Sequence, residues 1–200
     1  MPTQKLHAKS LSPFIALCKE HGAKSIIDIG TGNLRNLVPT LSSFAKVWGV
    51  DTAIQCDTIK CEADKLKKKY KSFVGLLTEE QFYSSRLGAS AAMTICVLHT
   101  IPEIEVRHRV LSAASSNLIG DGLMLVDVPS GENYYRKRLT ESNKYLDGYV
   151  MGEGARHTFY KEFSSEELTS FVEQQGFHFH TRISVPKHLA LVFSNGKVTR

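Results

Sequence analysis

Two glycines separated by a single residue follow a short apolar strand near the start of the chain. The segment Ser25–Ile29 is rich in isoleucine and carries one acid, Asp28, before Gly30 and Gly32. A buried strand followed by glycines predicts a tight turn, and a side chain there would hold the backbone away from a ligand. Leu34–Val38 has the pattern of a helix start, so the segment predicts a strand, a turn and a helix in succession.

The second predicted strand, Lys46–Val50, ends in an acid, Asp51. A carboxylate at this place can accept hydrogen bonds from ribose hydroxyls, so the two strands and their turn predict a nucleoside-binding βαβ unit. A dinucleotide fingerprint requires a third glycine where this chain has Arg35, and a P-loop requires a Gly-Lys-Ser/Thr sequence that is absent after the turn. The pattern therefore argues against both of these phosphate-binding motifs.

The sequence Asp28-Ile29-Gly30-Thr31-Gly32 matches the D/E-x-G-x-G motif of the class I S-adenosylmethionine (SAM)-dependent methyltransferases. The chain resembles that family over about residues 24–128. The resemblance implies SAM as cofactor and S-adenosylhomocysteine (SAH) as product, with the glycine turn against the methionine part of SAM and Asp51 at the ribose. Either Thr78 or Glu79 is expected near the adenine, with helix capping as the alternative role. The expected cofactor-binding residues are Asp28, Gly30, Thr31, Gly32, Asp51, Thr52, Thr78, Glu79 and Leu98.

Strands and helices alternate along the chain up to the fifth predicted strand at residues 123–128, and a helix is predicted at 33–44. The last two strands, 177–184 and 188–193, have no helix between them. The pattern predicts an α/β three-layer sandwich whose seven-stranded, mostly parallel sheet ends in an antiparallel C-terminal hairpin. This arrangement resembles the SAM methyltransferase fold. We interpret residues 1–200 as a single domain with an insertion at 129–163, where no regular pattern is evident.

Composition is that of an ordinary soluble protein, with 42% hydrophobic and 22% charged residues and a net charge of +5. No apolar run is long enough to span a bilayer and the first residues lack a signal core, so a cytoplasmic protein is expected. The basic clusters Lys65–Lys71 and Arg136–Arg138 favour either nucleic-acid binding or a solvated surface. Cys96 is expected in the core, and the spacing of the cysteines predicts no metal site.

His99 is the candidate catalytic residue, because it follows the fourth predicted strand, 92–98. The segment Val97–Glu103 lacks the D/N-P-P-Y/F motif of amino-group DNA methyltransferases. It resembles the L-H-x-x-P-D/E turn of methyltransferases that act on small molecules and of some that act on RNA. His99 can serve as a general base toward a hydroxyl or amine, or it can pack beside SAM and bond to the backbone.

The insertion supplies the candidate substrate residues, Tyr134, Tyr135, Arg156 and His157. Aromatic residues beside arginines can stack on bases and contact phosphates, or they can close as a lid over a small acceptor. A loop that only packs is the third interpretation. We favour a small polar or anionic acceptor methylated on O or N. The alternatives are an RNA- or DNA-directed methyltransferase, and a non-catalytic protein of the same fold that binds SAM or nucleic acid.

Two segments also resemble methyltransferases found beside DNA-phosphorothioation systems. Val97–Leu111 is similar to a segment in which an L-x-x-I-P-D-P-E turn precedes a helix. Phe159–Leu168, within the similar region Gly148–Phe171, resembles the sequence F-x-K-F/Y-x-x-x-E-L. This resemblance implies a possible association with nucleic acid.

Overall fold

The alternating strands and helices predicted from the sequence are present in the structure, a computed structural model that describes residues 7–131, 135–153 and 156–196. The strands of the main sheet are β1 (Ser25–Ile29), β2 (Lys46–Asp51), β3 (Phe73–Thr78), β4 (Ala89–Ile95), β5 (Leu118–Pro129), β9 (Phe177–Ile183) and β10 (His188–Asn195). The helices are α1 (Leu11–Glu20), α2 (Leu37–Thr40), α3 (Ala53–Lys69), α4 (Glu79–Ser84), α5 (Ile104–Asn117) and α6 (Ser165–Glu173). A smaller sheet consists of β6 (Lys144–Tyr145), β7 (Gly148–Glu153) and β8 (Arg156–Tyr160).

The main sheet has the strand order β3-β2-β1-β4-β5-β10-β9. Strands β1 to β5 are parallel, and β10 runs antiparallel between β5 and β9. The predicted seven-stranded, mostly parallel sheet with a C-terminal antiparallel hairpin is therefore confirmed. The strand order reverses between β1 and β4, and in such sheets ligands bind outside the carboxyl ends of the strands at this switch point.

Both faces of the sheet are covered, which gives the three predicted layers. Helices α1, α2 and α3 contribute to one apolar cluster, and α4, α5 and α6 contribute to the other. Every residue of β1 is buried, as expected for a parallel strand packed on both sides. No helix in the described part of the chain is long and apolar enough to cross a membrane.

The helix after the glycine turn is much shorter than the predicted 33–44. Only α2 is helical, because Leu34 has a left-handed φ of 63° and interrupts the helical path before it. Pro39 lies within α2 and has no N–H to donate. The chain between Gly32 and α2 is consequently a series of turns, which leaves Arg35 exposed near the edge of the sheet.

The insertion contains regular structure that the sequence pattern does not reveal. Within the described residues of 129–163, β6, β7 and β8 form an antiparallel sheet in which Tyr149 pairs with Tyr160. Strand β6 has two residues, too few to show alternation. The backbone N–H of Lys161 donates to the carbonyl of His99 at 2.8 Å, so the end of β8 is attached to the segment that follows β4.

A buried arginine connects the insertion to the main sheet's helical layer. Arg107 on α5 is 1% exposed and donates to the carbonyl of Pro102 at 3.1 Å and to Asp147 Oδ1 at 2.6 Å. Its guanidinium also lies 5.9 Å from the ring centre of Phe163 and 6.0 Å from that of Phe171. Because a buried guanidinium needs a counter-charge, Asp147 at the turn before β7 is held against α5.

Replacing Asp147 with Ala is expected to lower the free energy of unfolding by about 1.5–3 kcal/mol, because a charged hydrogen bond is lost and the buried guanidinium loses its carboxylate. Urea denaturation followed by circular dichroism measures the change. The matched control is Glu141→Ala, whose carboxylate is 3.9 Å from Lys144 and largely exposed, so its effect should stay below about 1 kcal/mol. Equal effects of the two substitutions would contradict this account of Arg107.

Candidate functional site

The glycine turn after β1 is tightly packed against the end of β4. The N–H groups of Gly30 and Thr31 both donate to the Val50 carbonyl, at 2.8 and 3.0 Å. Gly30 has a φ of +73°, and a Cβ at this position would overlap the side chain of Val97. Glycine is therefore required at position 30 by the protein's own packing as well as by the backbone conformation.

The carboxylate of Asp51 closes the turn from the end of β2. It accepts hydrogen bonds from Gly32 N at 2.7 Å and from Thr52 N at 2.9 Å. Gln55 on α3 donates from Nε2 to the Gly32 carbonyl at 3.0 Å. A carboxylate can accept about four hydrogen bonds, so the half-buried Asp51 retains acceptor capacity for a ligand.

Asp28 is a buried acid directly beneath the turn. Its side chain is 1% exposed and accepts a hydrogen bond from the Thr31 hydroxyl at 2.9 Å. Burial raises the pKa of Asp28 to about 7. The hydrogen bond from Thr31 and the charge of Arg35 lower this pKa, whereas the negative charge of Asp51 raises it further. A neighbouring cation would therefore stabilise the ionised form of this carboxyl.

The side chains at the ends of β2 and β3 also start helices. Thr78 lies beside Asp51 in the parallel register, and its hydroxyl accepts from Gln81 N at 3.3 Å as the N-cap of α4. Thr52 caps α3 in the same way, by accepting from Gln55 N at 3.2 Å. Glu79 is the first residue of α4 and is half-buried at the same edge. The capping role considered for Thr78 is thus present in the structure.

His99 lies in the short 3-10 turn that follows β4. Leu98 and His99 are both buried, and the His99 ring centre is 5.7 Å from that of Tyr160 and 5.9 Å from that of Tyr135. Burial lowers the pKa of His99 to about 4; the charge of His188 adds to this shift and that of Asp127 opposes it. His99 Nδ1 is buried and finds no hydrogen-bond partner among the described residues.

The predicted substrate residues lie in different surroundings. Tyr135 stacks on Tyr160, with ring centres 4.7 Å apart, and so lies next to His99. His157 is exposed, and it precedes Tyr160 by three strand positions, which places it about 10 Å away with its side chain on the opposite face of β8. Tyr134 and the side chain of Arg156 lie outside the described part of the structure.

The structure contains a second group of polar side chains at the same edge of the sheet, around Asp127 and His188, that the sequence analysis did not predict. Asp127, near the end of β5, accepts from the Ser10 hydroxyl and pairs with His188 Nδ1 at 2.7 Å. Hydrogen bonding with Asp127, and then with Cys96, raises the pKa of His188 to about 10. An acid within the apolar run Leu123–Val128 is a signal that could have indicated this buried pair.

Cys96 lies past the end of β4, so the prediction that it belongs to the strand is wrong, whereas it is half-buried and packs against one of the two apolar clusters. Its φ of 59° is left-handed, which a strand residue does not adopt.

The lysines of α3 agree with the interpretation as a solvated helix face, since Lys65 is exposed and bonds to the exposed Glu62 at 2.7 Å.

No protein-family model matches the chain, and no curated protein matches its sequence. Its fold is similar to a SAM-dependent methyltransferase from Clostridium acetobutylicum, with a TM-score of 0.71 and 11% identity over 94% of this chain and 91% of that one. It is also similar to the Burkholderia thailandensis 1,6-didemethyltoxoflavin-N1-methyltransferase with bound 1,6-didemethyltoxoflavin and SAH, with a TM-score of 0.69 and 16% identity over 94% and 79% of the two chains.

A third similar structure is magnesium protoporphyrin IX methyltransferase from Synechocystis PCC 6803 with bound SAH, at a TM-score of 0.65 and 13% identity over 94% of this chain and 83% of that one. At such low identities the similarity concerns the fold. The strand order and the hairpin agree with it, and the chain therefore has the SAM-dependent methyltransferase fold.

Proposed function

We propose that the protein is a SAM-dependent methyltransferase that transfers a methyl group to an oxygen or nitrogen of a small polar molecule. The observation that carries the proposal is the glycine turn, closed by Asp51 at the switch point of a sheet with this fold. A polar edge of this kind, without a phosphate-binding motif, suits a nucleoside that carries a sulfonium and an amino acid rather than phosphates.

The cofactor residues would divide along the edge of the sheet. Asp28, Gly30, Thr31 and Gly32 would contact the methionine part of SAM, with Leu98 beside it. Asp51 and Thr52 would hold the ribose, and Glu79 or the backbone of Thr78 would contact the adenine. The sulfonium is already an activated leaving group, so alignment of the acceptor atom with the methyl carbon and sulfur supplies most of the catalysis.

His99 is better suited to hold the acceptor than to remove its proton. A general base is most effective when its pKa lies near the working pH, whereas burial holds the pKa of His99 at about 4. The neutral ring has a buried Nδ1 that no described residue satisfies. A hydrogen bond between this atom and the methyl acceptor would satisfy it. Because the sulfonium is already an activated leaving group, the reaction has little need of a general base.

The insertion would form the wall of the acceptor site. Tyr135 and Tyr160 stack next to His99, and Tyr134 and Arg156 remain expected contributors, whereas His157 has its side chain on the opposite face of β8 from Tyr160 and is not proposed as one. Two of the similar enzymes are named for methylation of 1,6-didemethyltoxoflavin and of magnesium protoporphyrin IX, which favours a small acceptor here too. A nucleic-acid acceptor, suggested by the exposed Arg136 and Arg138 and by the phosphorothioation resemblance, is the alternative.

We expect SAM to bind with micromolar-class affinity and NAD not to bind. Isothermal titration calorimetry with each ligand tests this. Asp51→Asn should weaken SAM binding by about 1.5–3 kcal/mol, because a charge-assisted hydrogen bond to the ribose is lost. Asp57→Asn, which removes an exposed carboxylate of α3, is the control and should leave the affinity unchanged. Tighter binding of NAD, or equal SAM affinity of a folded Asp51→Asn protein, would contradict the proposal.

Substitutions at the two glycines are expected to differ. Gly30→Ala should unfold the turn, because its methyl group would overlap Val97. Gly32→Ala should fold, since its nearest neighbour would be the Gly30 carbonyl oxygen at 4.0 Å, with a cost of about 1–2 kcal/mol for the left-handed backbone. If SAM lies against Gly32, the folded variant should lose SAM binding at least tenfold. Thermal denaturation and calorimetry on each variant separate the two effects, and full SAM affinity of Gly32→Ala would remove Gly32 from the site.

SAM affinity is expected to rise as the pH increases from about 6 to 8. Asp28 has a pKa of about 7 in the free protein, and ionisation of its carboxyl would favour a cationic sulfonium nearby. The raised pKa also means that the free protein loses stability as the pH rises from about 4 to about 7, since the unfolded carboxyl releases its proton first. Calorimetry and urea denaturation at several pH values should show both trends, and Asp28→Asn should reduce both. A SAM affinity independent of pH would contradict this role.

A further inference from the structure

A cleft of about 330 Å³ opens beside the proposed SAM site, over the ends of β4, β5 and β10. The segment before α1 forms one wall and the turn between β9 and β10 forms the other. The N-terminal wall is held in place because Ser10 bonds to Asp127 and Ala8 N donates to Asn36 Oδ1 at 3.0 Å. This second bond fixes the wall next to the turns that follow Gly32.

The acid of the cleft is already neutralised by its neighbours. Asp127 is 1% exposed, and its two oxygens are taken by the Ser10 hydroxyl and by His188 Nδ1. With a pKa of about 10, His188 is an imidazolium at neutral pH. The Asp127–His188 pair therefore carries no net negative charge, and the ring of His188, held in place by Asp127, can donate a hydrogen bond into the cleft.

The other charged groups of the cleft are cations. Lys9, Arg35 and Lys187 line it, and none of them forms an ion pair with an acid in the described part of the chain. A cleft lined by one sign of charge concentrates ligands of the opposite sign. An oxyanion, either a carboxylate or a phosphate, is the ligand that this set of donors fits.

Backbone strain is concentrated at the same place. Among the described residues, four that are not glycine have a positive φ, and two of these, Cys96 at 59° and Lys187 at 62°, line the cleft. Such conformations cost free energy and are found most often where a ligand binds. The strain at Lys187 turns the chain at the start of β10 so that Lys187 and His188 both reach the cleft.

The His188 end of the cleft lies away from the proposed donor site, whereas its other end, at Arg35 and Cys96, lies close to the glycine turn. His188 on β10 is four strand positions from Asp51 on β2, which corresponds to about 19 Å across the sheet. A methionyl chain that ran from a ribose at Asp51 toward the glycine turn after β1 would end about three strand positions from β10. A small oxyanion held at Lys187 and His188 would therefore belong to a second molecule beside the donor's methyl group.

We propose that this cleft binds the anionic group of the methyl acceptor, and that the acceptor is a small carboxylate- or phosphate-bearing molecule. The inference rests on the proposed methyltransferase function and deepens it by naming the chemical class of the substrate. Lys9, Arg35, Lys187 and the paired His188 hold the oxyanion, and the remainder of the acceptor extends toward His99. The volume of the cleft matches a compact molecule better than a polymer.

Titration of inorganic phosphate, and separately of benzoate, into ¹⁵N-labelled protein saturated with SAH tests the proposal at constant ionic strength. Saturable shifts are expected at the amides of Cys96, Lys187 and His188. The double variant Lys9→Gln/Lys187→Asn should bind roughly tenfold more weakly, because two charge-assisted contacts are lost. Asn tolerates the left-handed backbone at position 187, so the variant is expected to fold.

The double variant Lys68→Gln/Lys71→Gln is the matched control, since it removes the same charge from exposed positions elsewhere. It should bind both anions as the unaltered protein does. Shifts that do not saturate, or equal weakening in the two double variants, would overturn the proposal. Phosphate binding to the SAH-free protein that is lost when SAH is added would assign the site to the donor's own carboxylate and would overturn the proposal as well.

Calorimetry with SAH on the same samples separates this inference from the proposed function. The unaltered protein and the Lys9→Gln/Lys187→Asn variant are expected to bind SAH equally. If the unaltered protein fails to bind SAH, the proposed function is wrong; normal SAH binding without anion binding contradicts only the cleft assignment. An RNA or DNA oligonucleotide that binds through the same residues more tightly than phosphate, with a steep salt dependence, would overturn the small-acceptor class.

Discussion

The contact between the backbone of Gly30 and the side chain of Val97 determines how the ends of β1 and β4 meet. Because no side chain fits at position 30, the turn after β1 lies directly against the residue that follows Cys96. Gly32 is then close enough to β2 to donate to Asp51 at 2.7 Å. The polar groups proposed to hold a nucleoside are thus brought together at the switch point of the sheet by this apolar contact and by the bonds from Gly30 N and Thr31 N to the Val50 carbonyl.

Two buried acids at this edge have opposite surroundings. Asp28 has a single hydroxyl partner, so burial dominates and its pKa rises to about 7. Asp127 has a hydroxyl and an imidazole as partners and holds His188 as a cation. The first acid can therefore respond to a cationic ligand, whereas the second is neutralised by His188, so that Lys9, Arg35 and Lys187 determine the charge of the neighbouring cleft.

The small sheet of the insertion is positioned by two attachments of different kinds. Arg107 bonds to Asp147 at one end, and the Lys161 N–H bonds to the His99 carbonyl at the other. The second attachment places Tyr160, and Tyr135 stacked on it, over the His99 ring. The insertion consequently surrounds His99, and under the proposed function changes in its sequence would alter the space available to an acceptor while leaving the glycine turn intact.

The sequence by itself determined the succession of the main strands along the chain and the C-terminal hairpin. It also determined that Gly30, Gly32 and Asp51 follow the ends of the first two strands. These features depend on hydrophobic periodicity and turn residues, which act over short distances along the chain. It did not predict the short α2, because the left-handed φ of Leu34 is a single local event with no residue type that announces it. The strands of the insertion were not predicted either, because β6 has only two residues and β7 contains two glycines, Gly148 and Gly152.

Only the tertiary structure decided what surrounds the polar residues. Asp127 and His188 are 61 positions apart and Ser10 and Asp127 are 117 apart, and only the assembled sheet brings them into contact. The low pKa of His99 likewise depends on burial beneath the insertion and on the charge of His188, which no local pattern records. Short-range periodicity therefore specified the fold and the glycine turn, while the charges around the proposed acceptor cleft depend on contacts between distant parts of the chain.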